Sequence, residues 1–203
     1  MYQDNIGTAN TWVVKAARLS SLLPLLVFLG AASLVPHIAA GDTYRLAIPW
    51  IPELGVSLSF LLDGLSVLFA LIISGVGFFV TLYAVDYLHG NPHTGRFFLF
   101  LQLFMFSMLG LVLADNLLVL FVFWELTTIF SYLLIGFEHE SSNSRKSARQ
   151  ALLVTGAGGL ALLVGFLLLE INTGTYEISQ MLTAGELLQG HSYYHAILVM
   201  VFL

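Results

Sequence analysis

The sequence predicts an all-α membrane protein, a polytopic bundle with about five complete transmembrane helices, the start of a sixth and its N-terminus inside. The chain has 203 residues, of which 58% are hydrophobic and 9% charged, whereas soluble domains carry roughly 25% charged residues. Its mean hydropathy is +0.90. Apolar runs long enough to cross a bilayer recur along the chain, with short polar segments between them.

The first span is predicted at about residues 19–40, after a polar segment that ends in Lys15 and Arg18. A basic stretch before an apolar run also fits a signal peptide, but no clear cleavage site follows. The linker at residues 41–56 is hydrophobic and contains prolines, so we predict an extended loop there.

The second span is predicted at residues 57–87 and the third at residues 97–114. The second is long for a bilayer, so it tilts or begins outside the hydrocarbon. It carries small residues at helical spacing, which let two helices approach closely. These are Ala70, Ser74, Gly77 and Thr81. Asp115 and Asn116 are predicted to cap the fourth span, and this tight turn makes spans three and four antiparallel neighbours.

The fourth span follows Asn116 and ends near Phe137, and the fifth is predicted at residues 151–169, after the densely charged segment 137–150. Two stripes of small residues predict that the fifth helix is packed on two sides. They are Ala151, Thr155 and Gly159, and Ala157, Ala161 and Gly165.

The last part of the chain contains a polar connection and another apolar run. Residues 178–182, with Leu187 and Leu188, suggest a short helix at the membrane interface. A sixth span begins at about Tyr194 and is cut off at Leu203, so we expect the sequence to be the front of a longer protein.

The positions of the basic residues predict the orientation of the chain. With the N-terminus inside, six of the 7 Lys and Arg residues lie on the cytoplasmic side, as the positive-inside rule requires. The exception is Arg45.

Glu125 is the one ionisable side chain in the fourth span. A charged carboxylate at mid-membrane costs roughly 3 kcal/mol on insertion scales, so such residues usually serve a function. Thr128 and Tyr132 share its helical face. The functional interpretation is a proton site continued by these hydroxyl groups. The alternative is a packing element, in which Glu125 holds two helices together.

Other polar residues are weaker candidates for a proton path. Asp63 is either a second acidic site near the outer surface or a helix N-terminal residue that favours the dipole. His139, between Glu138 and Glu140, lies where the inner mouth is predicted and carries an imidazole, a group that can pass protons, although a solvated charged loop is the commoner case. Cysteine is absent, no histidine pair has metal-ligand spacing on one helix, and no basic patch for nucleic acid or cofactor motif occurs.

Several long motifs, in order, resemble the antiporter-like subunits shared by respiratory complex I and Mrp-type Na⁺/H⁺ antiporters. They are FLLDGLSVLFALIISGVGFFVTLYAVDYL, LADNLLVLFVFWELTTIFSYLLIGF, KSARQALLVTGAGGLALLVGFLLL and TGTYEISQM. The chain is most similar to the large A-type component of Mrp antiporters, because the stretch VTGAGG has Gly159 where complex I relatives tend to carry an acid. The chain departs from the family pattern in two ways. One helix, and not two, precedes the second span, and the later helices that carry a lysine in the family are missing from this sequence.

The resemblance implies a membrane component of a monovalent cation/proton antiporter, a transporter and not an enzyme, with Glu125 as the protonatable residue and a lysine partner on a later helix. Its partners would be the other components of an antiporter complex, the lipid bilayer, protons and Na⁺, in the plasma membrane. Alternatives are a proton-pumping subunit of complex I or of a hydrogenase, and a structural membrane subunit. The expected parts are 1–45 with the first span, 46–97 with the second, and 98–203 as the front of the proton-translocating core.

Overall fold

The structure is a computed structural model, which describes residues 19–51, 53, 56–88, 91, 93–183 and 193–202. In these ranges, five helices are long and apolar enough to cross a membrane, which confirms the predicted fold class. They are α1 (Leu22–Ala39), α2 (Gly64–Tyr87), α3 (Thr94–Leu113), α4 (Leu117–Ile135) and α5 (Ser142–Thr173). The other elements are strands β1 (Tyr44–Ile51) and β2 (Val56–Leu62) and the shorter helices α6 (Ile178–Thr183) and α7 (Tyr194–Phe202).

Successive spans pack on one another in chain order, with α7 against α5. The four small residues predicted to form a stripe on α2 are all buried, and Met105 of α3 fills the space beside Gly77. Helix α5 is also packed on two sides, because Gly159 faces α4 while Gly165 faces Val201 of α7. Both predictions of close helix packing are therefore confirmed.

The linker predicted as an extended loop forms most of an antiparallel β-hairpin instead. Tyr44 of β1 pairs with Leu62 of β2, and a bulge interrupts the register between Pro49 and Ile51. Two apolar extended segments satisfy each other's backbone N–H and C=O groups in this way. Proline, which cannot donate to the ladder, is tolerated at such an irregular position.

The second span begins later than predicted, because residues 57–62 belong to β2 and α2 starts at Gly64. Asp63 ends the strand and caps the helix. Its Oδ1 accepts from the Ser66 N–H at 2.8 Å, and the Ser66 hydroxyl accepts from the Asp63 N–H at 2.8 Å. This reciprocal pair is a capping box, and it confirms the interpretation of Asp63 as the helix N-terminal residue.

The fifth span is also longer than predicted. Helix α5 begins at Ser142 and has 32 residues, so most of the charged segment at 137–150 is helical. At 1.5 Å per residue the helix is about 48 Å long, more than the ~30 Å hydrocarbon core of a bilayer. The Ser141 hydroxyl caps it by accepting from the Ser144 N–H, so the helix starts well before the apolar run.

The two ends of the bundle differ in composition. At the hairpin end, backbone hydrogen bonds join the α3–α4 turn to β2 (Asp115 N–H to Ser59 O, 2.8 Å) and to the α5–α6 connection (Ile178 N–H to Asp115 O, 2.7 Å). The opposite end, called the basic end here, holds the α2–α3 and α4–α5 connections and the first turns of α3 and α5. Its basic residues are Arg96, Arg145, Lys146 and Arg149. That this end lies inside the cell stays a prediction.

Short helix α6 confirms the predicted helix at 178–182, and α7 begins at the residue predicted for the sixth span. The polar segment 1–18, the pair Leu187–Leu188 and His89 lie outside the described residues.

Candidate functional site: a buried carboxyl group on α4

Glu125 projects from the middle of α4 toward α5. Its Oε1 is buried and has no hydrogen-bond partner within the described part of the chain. The same holds for Nε1 of the preceding residue, Trp124. Two unsatisfied polar atoms therefore lie on the face that α4 presents to α5, where a buried polar group without a partner is costly.

Gly159 of α5 makes room for this carboxyl group. A Cβ atom placed on Gly159 would collide with Glu125 Oε1 and would lie 3.4 Å from Trp124 Nε1. The absence of a side chain at this buried position thus lets α5 approach α4 until its backbone lies beside the carboxyl oxygen. Any larger residue at position 159 has to displace the Glu125 carboxyl group.

Thr128 lies one turn further along α4 and is 4% exposed. Its hydroxyl donates to the Trp124 carbonyl at 3.2 Å, and the Thr127 hydroxyl donates to the same oxygen at 2.7 Å. The Thr128 hydroxyl is therefore bonded to the backbone and not to Glu125. Both threonines line a cavity of about 150 Å³ together with Ser131 of α4 and Thr155 of α5.

Tyr132 and His139 come together at the basic end. Both line a cavity of about 260 Å³ between α3, α4 and α5. The exposed His139 ring also packs edge-to-face on His93, with ring centroids 5.8 Å apart, and lines a second cavity of about 410 Å³ with Glu138 and Glu140. The structure thus joins two of the predicted path residues in one cavity. Glu125 is not part of it and lies about two helical turns before Tyr132 on α4.

Asp63 lies at the hairpin end, where its carboxylate caps α2. Its part in a proton path stays a prediction. Within the described ranges, no three His, Cys, Asp or Glu side chains are grouped so that they could hold a metal ion.

A polar network at the hairpin end was missed by the sequence analysis. The Arg45 guanidinium of β1 pairs with Asp115 at 2.7 Å and with Glu177 at 2.6 Å. Asp115 was predicted to act as a helix cap, and this was wrong: its carboxylate accepts from the backbone N–H and the hydroxyl of Ser179, each at 2.8 Å. Only Asn116 caps α4, by accepting from the N–H groups of the second and third residues.

Both carboxylates of this network are buried, Asp115 at 1% and Glu177 at 9% exposure. Ser59 of β2 and Asn116 donate to Glu177 Oε1 at 2.9 and 3.0 Å. The hydrogen bond to Glu177 raises the pKa of Arg45 above its usual value, and Asp115 adds to this while burial opposes it. One signal in the sequence singled out this residue: Arg45 is the one basic residue that breaks the predicted positive-inside pattern.

Comparisons with known proteins match two parts of the chain to family profiles. Residues 49–98 match the N-terminal region of chain 5 of NADH-ubiquinone oxidoreductase (complex I). Residues 114–203 match the transmembrane region described as NADH:quinone oxidoreductase/Mrp antiporter. Glu125 and its neighbour Gly159 both lie in the second match.

Three relatives illustrate the similarity. A Rhizobium meliloti protein named as a probable K⁺/H⁺ antiporter component of type A/B is 42% identical over 89% of this chain and 18% of its own length. The Na⁺/H⁺ antiporter component A1 of a bovine strain of Staphylococcus aureus is 37% identical over 88% of this chain and 22% of its own. The solved Mrp complex from Dietzia sp. contains a chain with 33% identity and a TM-score of 0.74, covering 97% of this chain and 23% of that one. The chain thus spans about a fifth of the length of these three relatives.

Proposed function

The chain belongs to the family of antiporter-like membrane subunits that Mrp antiporters share with respiratory complex I, and we propose that it acts in a monovalent cation/proton antiporter by carrying protons on Glu125. The whole protein would be a transporter component and not an enzyme, resident in the plasma membrane with the other members of its complex. One relative is named for K⁺ and another for Na⁺. We propose Na⁺ as the coupled ion.

The observation that carries this proposal is the unpartnered Oε1 of Glu125 beside Gly159. A buried carboxylate without a hydrogen-bond donor or counter-ion is strongly disfavoured, and a proton on the group removes its charge. When a cationic group approaches, the ionised form is stabilised and the proton leaves. Antiport results if cation movement elsewhere in the complex controls that approach.

Protons would reach Glu125 from the basic end. His139 is exposed and borders two cavities, and Tyr132 lines the cavity of about 260 Å³ together with it. Thr128 and Ser131 line the next cavity toward the middle of α4. Hydroxyl groups, an imidazole and water in these cavities form the proposed relay, and Asp63 would be an exit at the opposite end.

The test is Glu125→Gln in the full-length protein assembled with its partner subunits. Sodium- and potassium-dependent proton exchange would be measured in sealed vesicles. We expect exchange to fall to the background of empty vesicles while assembly is retained, because glutamine has nearly the same size but cannot release a proton. The matched control is Glu170→Gln, a second half-buried acid on a span, which should exchange normally. Normal exchange by Glu125→Gln would disprove the proposal.

A second candidate function is a proton-pumping subunit of a redox-driven complex, which the match to complex I chain 5 favours. Purification of the native complex distinguishes the two, since flavin and iron–sulfur subunits belong only to the redox machine. A purely structural role would give a third pattern, in which Glu125→Gln impairs assembly and leaves the exchange per assembled complex unchanged.

A further inference from the structure

The cavity at the basic end contains two arginines that the proton path does not use. Arg96 comes from the first turn of α3 and Arg145 from the first turn of α5, and both line the cavity of about 260 Å³. The rest of the wall is the Tyr132 and His139 side chains and an apolar part, formed by Phe100, Leu133, Gly136 and Ala148.

Neither guanidinium is neutralised within the described part of the chain. Both ion pairs found there belong to Arg45, at the opposite end of the bundle. Arg96 donates to the Phe137 carbonyl at 3.3 Å, and Arg145 donates to the carbonyls of His139 and Glu140. A guanidinium has five N–H donors, so most of the donors of both groups remain available to a ligand.

Both arginines are held in place at the cavity. The Arg96 guanidinium lies over the rings of Phe100 and Phe137, 5.9 and 5.8 Å from their centroids, which is within cation–π range. The two hydrogen bonds of Arg145 bind it to the carbonyls of the α4–α5 connection. Two guanidinium groups with restricted positions are thus presented to one cavity.

The backbone adds positive potential at the same place. Helices α3 and α5 both begin here, and neither has an acidic residue in its first turn. Their N-termini therefore contribute uncompensated partial positive charge. The two acidic residues of the α4–α5 connection, Glu138 and Glu140, line the neighbouring cavity instead.

We infer that this cavity binds a phosphate-bearing anion, held by Arg96 and Arg145. The planar guanidinium matches phosphate oxygens in a bidentate manner. The cavity lies at the end of the membrane-spanning helices, and basic pockets between such helices bind anionic headgroups. Its apolar wall suits the first methylene groups of the acyl chains of a phospholipid. The same chemistry would also accept free phosphate.

The experiment uses the full-length protein in its assembled complex. Binding of labelled phosphatidylglycerol is measured in phosphatidylcholine vesicles, and inorganic phosphate is tested as a direct ligand and competitor. Arg96→Gln with Arg145→Gln should weaken binding roughly tenfold or more, since two charge-assisted contacts are lost. The control is Lys146→Gln with Arg149→Gln, which removes the same charge from the same end without touching the cavity and should bind as the unaltered protein does.

The outcomes separate the two sources of phosphate. Arginine-dependent binding of inorganic phosphate, which then displaces the lipid, would assign the site to free phosphate. Arginine-dependent binding of phosphatidylglycerol alone would assign it to a lipid headgroup. Equal binding by the double variant and the unaltered protein, or an equal loss in the control, would overturn the inference. If the double variant fails to assemble, Arg145→Gln alone must show the loss, since that side chain is exposed and bonded only to the adjoining connection.

Discussion

The hairpin end and the middle of α4 bury carboxyl groups in opposite ways. At the hairpin end, Asp115 and Glu177 share one arginine, and further donors from Ser59, Asn116 and Ser179 reach them. In α4, Glu125 Oε1 has no partner among the described residues. The first group of acids joins distant parts of the chain, whereas no hydrogen bond fixes Oε1 of Glu125 within the described residues, which supports the proposed proton site.

The energetic consequences differ as well. Removing one partner of a buried ion pair costs about 3–5 kcal/mol, because the other charge stays buried without compensation. The Arg45 side chain is 38% exposed, so solvent screening reduces that figure here. Glu125 has no ion-pair partner among the described residues. Its replacement by a neutral residue should therefore affect transport and leave stability nearly unchanged.

The largest expected effects, on stability at the hairpin end and on exchange in α4, come from replacing an acid by its amide. Asp115→Asn should lower the free energy of unfolding by about 2–4 kcal/mol, because Arg45 loses a buried counter-charge and the new amide group meets the donors of Ser179. Glu125→Gln should change it by less than about 1 kcal/mol, while abolishing exchange. Denaturation of the full-length complex in detergent, together with exchange in vesicles, measures both. Equal loss of stability in the two variants would contradict the comparison.

An intermediate effect is expected at Gly159. Gly159→Ala places a methyl group where the Glu125 carboxyl group lies, so that side chain must move and exchange should fall about tenfold, as misplacement by ~1 Å can cost still more. The neighbouring Gly158→Ala is the matched control, since a Cβ there meets nothing within 4 Å. Rates are compared at equal amounts of assembled complex. Undiminished exchange by Gly159→Ala would show that the position of the carboxyl group is not critical.

The smallest effect is expected at Thr128. Thr128→Val removes a hydroxyl that donates to the Trp124 carbonyl, and Thr127→Val removes another donor to the same oxygen. Each should cost about 1 kcal/mol of stability. Measured around the helix axis, Thr128 lies about 60° from Glu125, whereas Thr127 lies about 160° from it. We therefore expect Thr128→Val alone to slow exchange a few-fold, as initial rates in vesicles would reveal. Equal rates in the two variants would remove Thr128 from the path.

Much of the fold could be predicted because its causes are local in the chain. Apolar length identified the five spans. Short-range hydrogen bonds start two of them, because the Asp63 side chain accepts from the Ser66 N–H and the Asn116 side chain accepts from N–H groups of the next turn. The stripes of small residues also indicated which helix faces are packed. The second span was predicted to begin too early, because the apolar residues 57–62 form a strand and not a helix. The fifth span was predicted to begin too late, because most of the charged segment before it is helical.

The candidate site was only partly predictable. Glu125 stands out in the sequence because an acid in an apolar helix is costly wherever that helix packs. Its contact with Gly159 depends on the packing of α4 on α5. The two arginines of the basic-end cavity were interpreted as ordinary positive-inside residues, because charge counting does not tell which basic residues line the same cavity.

The sequence by itself determined a membrane-spanning helical chain with one acid at lipid depth, because hydrophobic length and the cost of a buried charge belong to each segment alone. Tertiary structure decided which polar groups meet. Arg45 reaches Asp115 and Glu177 across 70 and 132 positions, whereas Oε1 of Glu125 meets no donor among the described residues. Such long-range partners are chosen by the packing of distant segments, and no local pattern of residues encodes that choice.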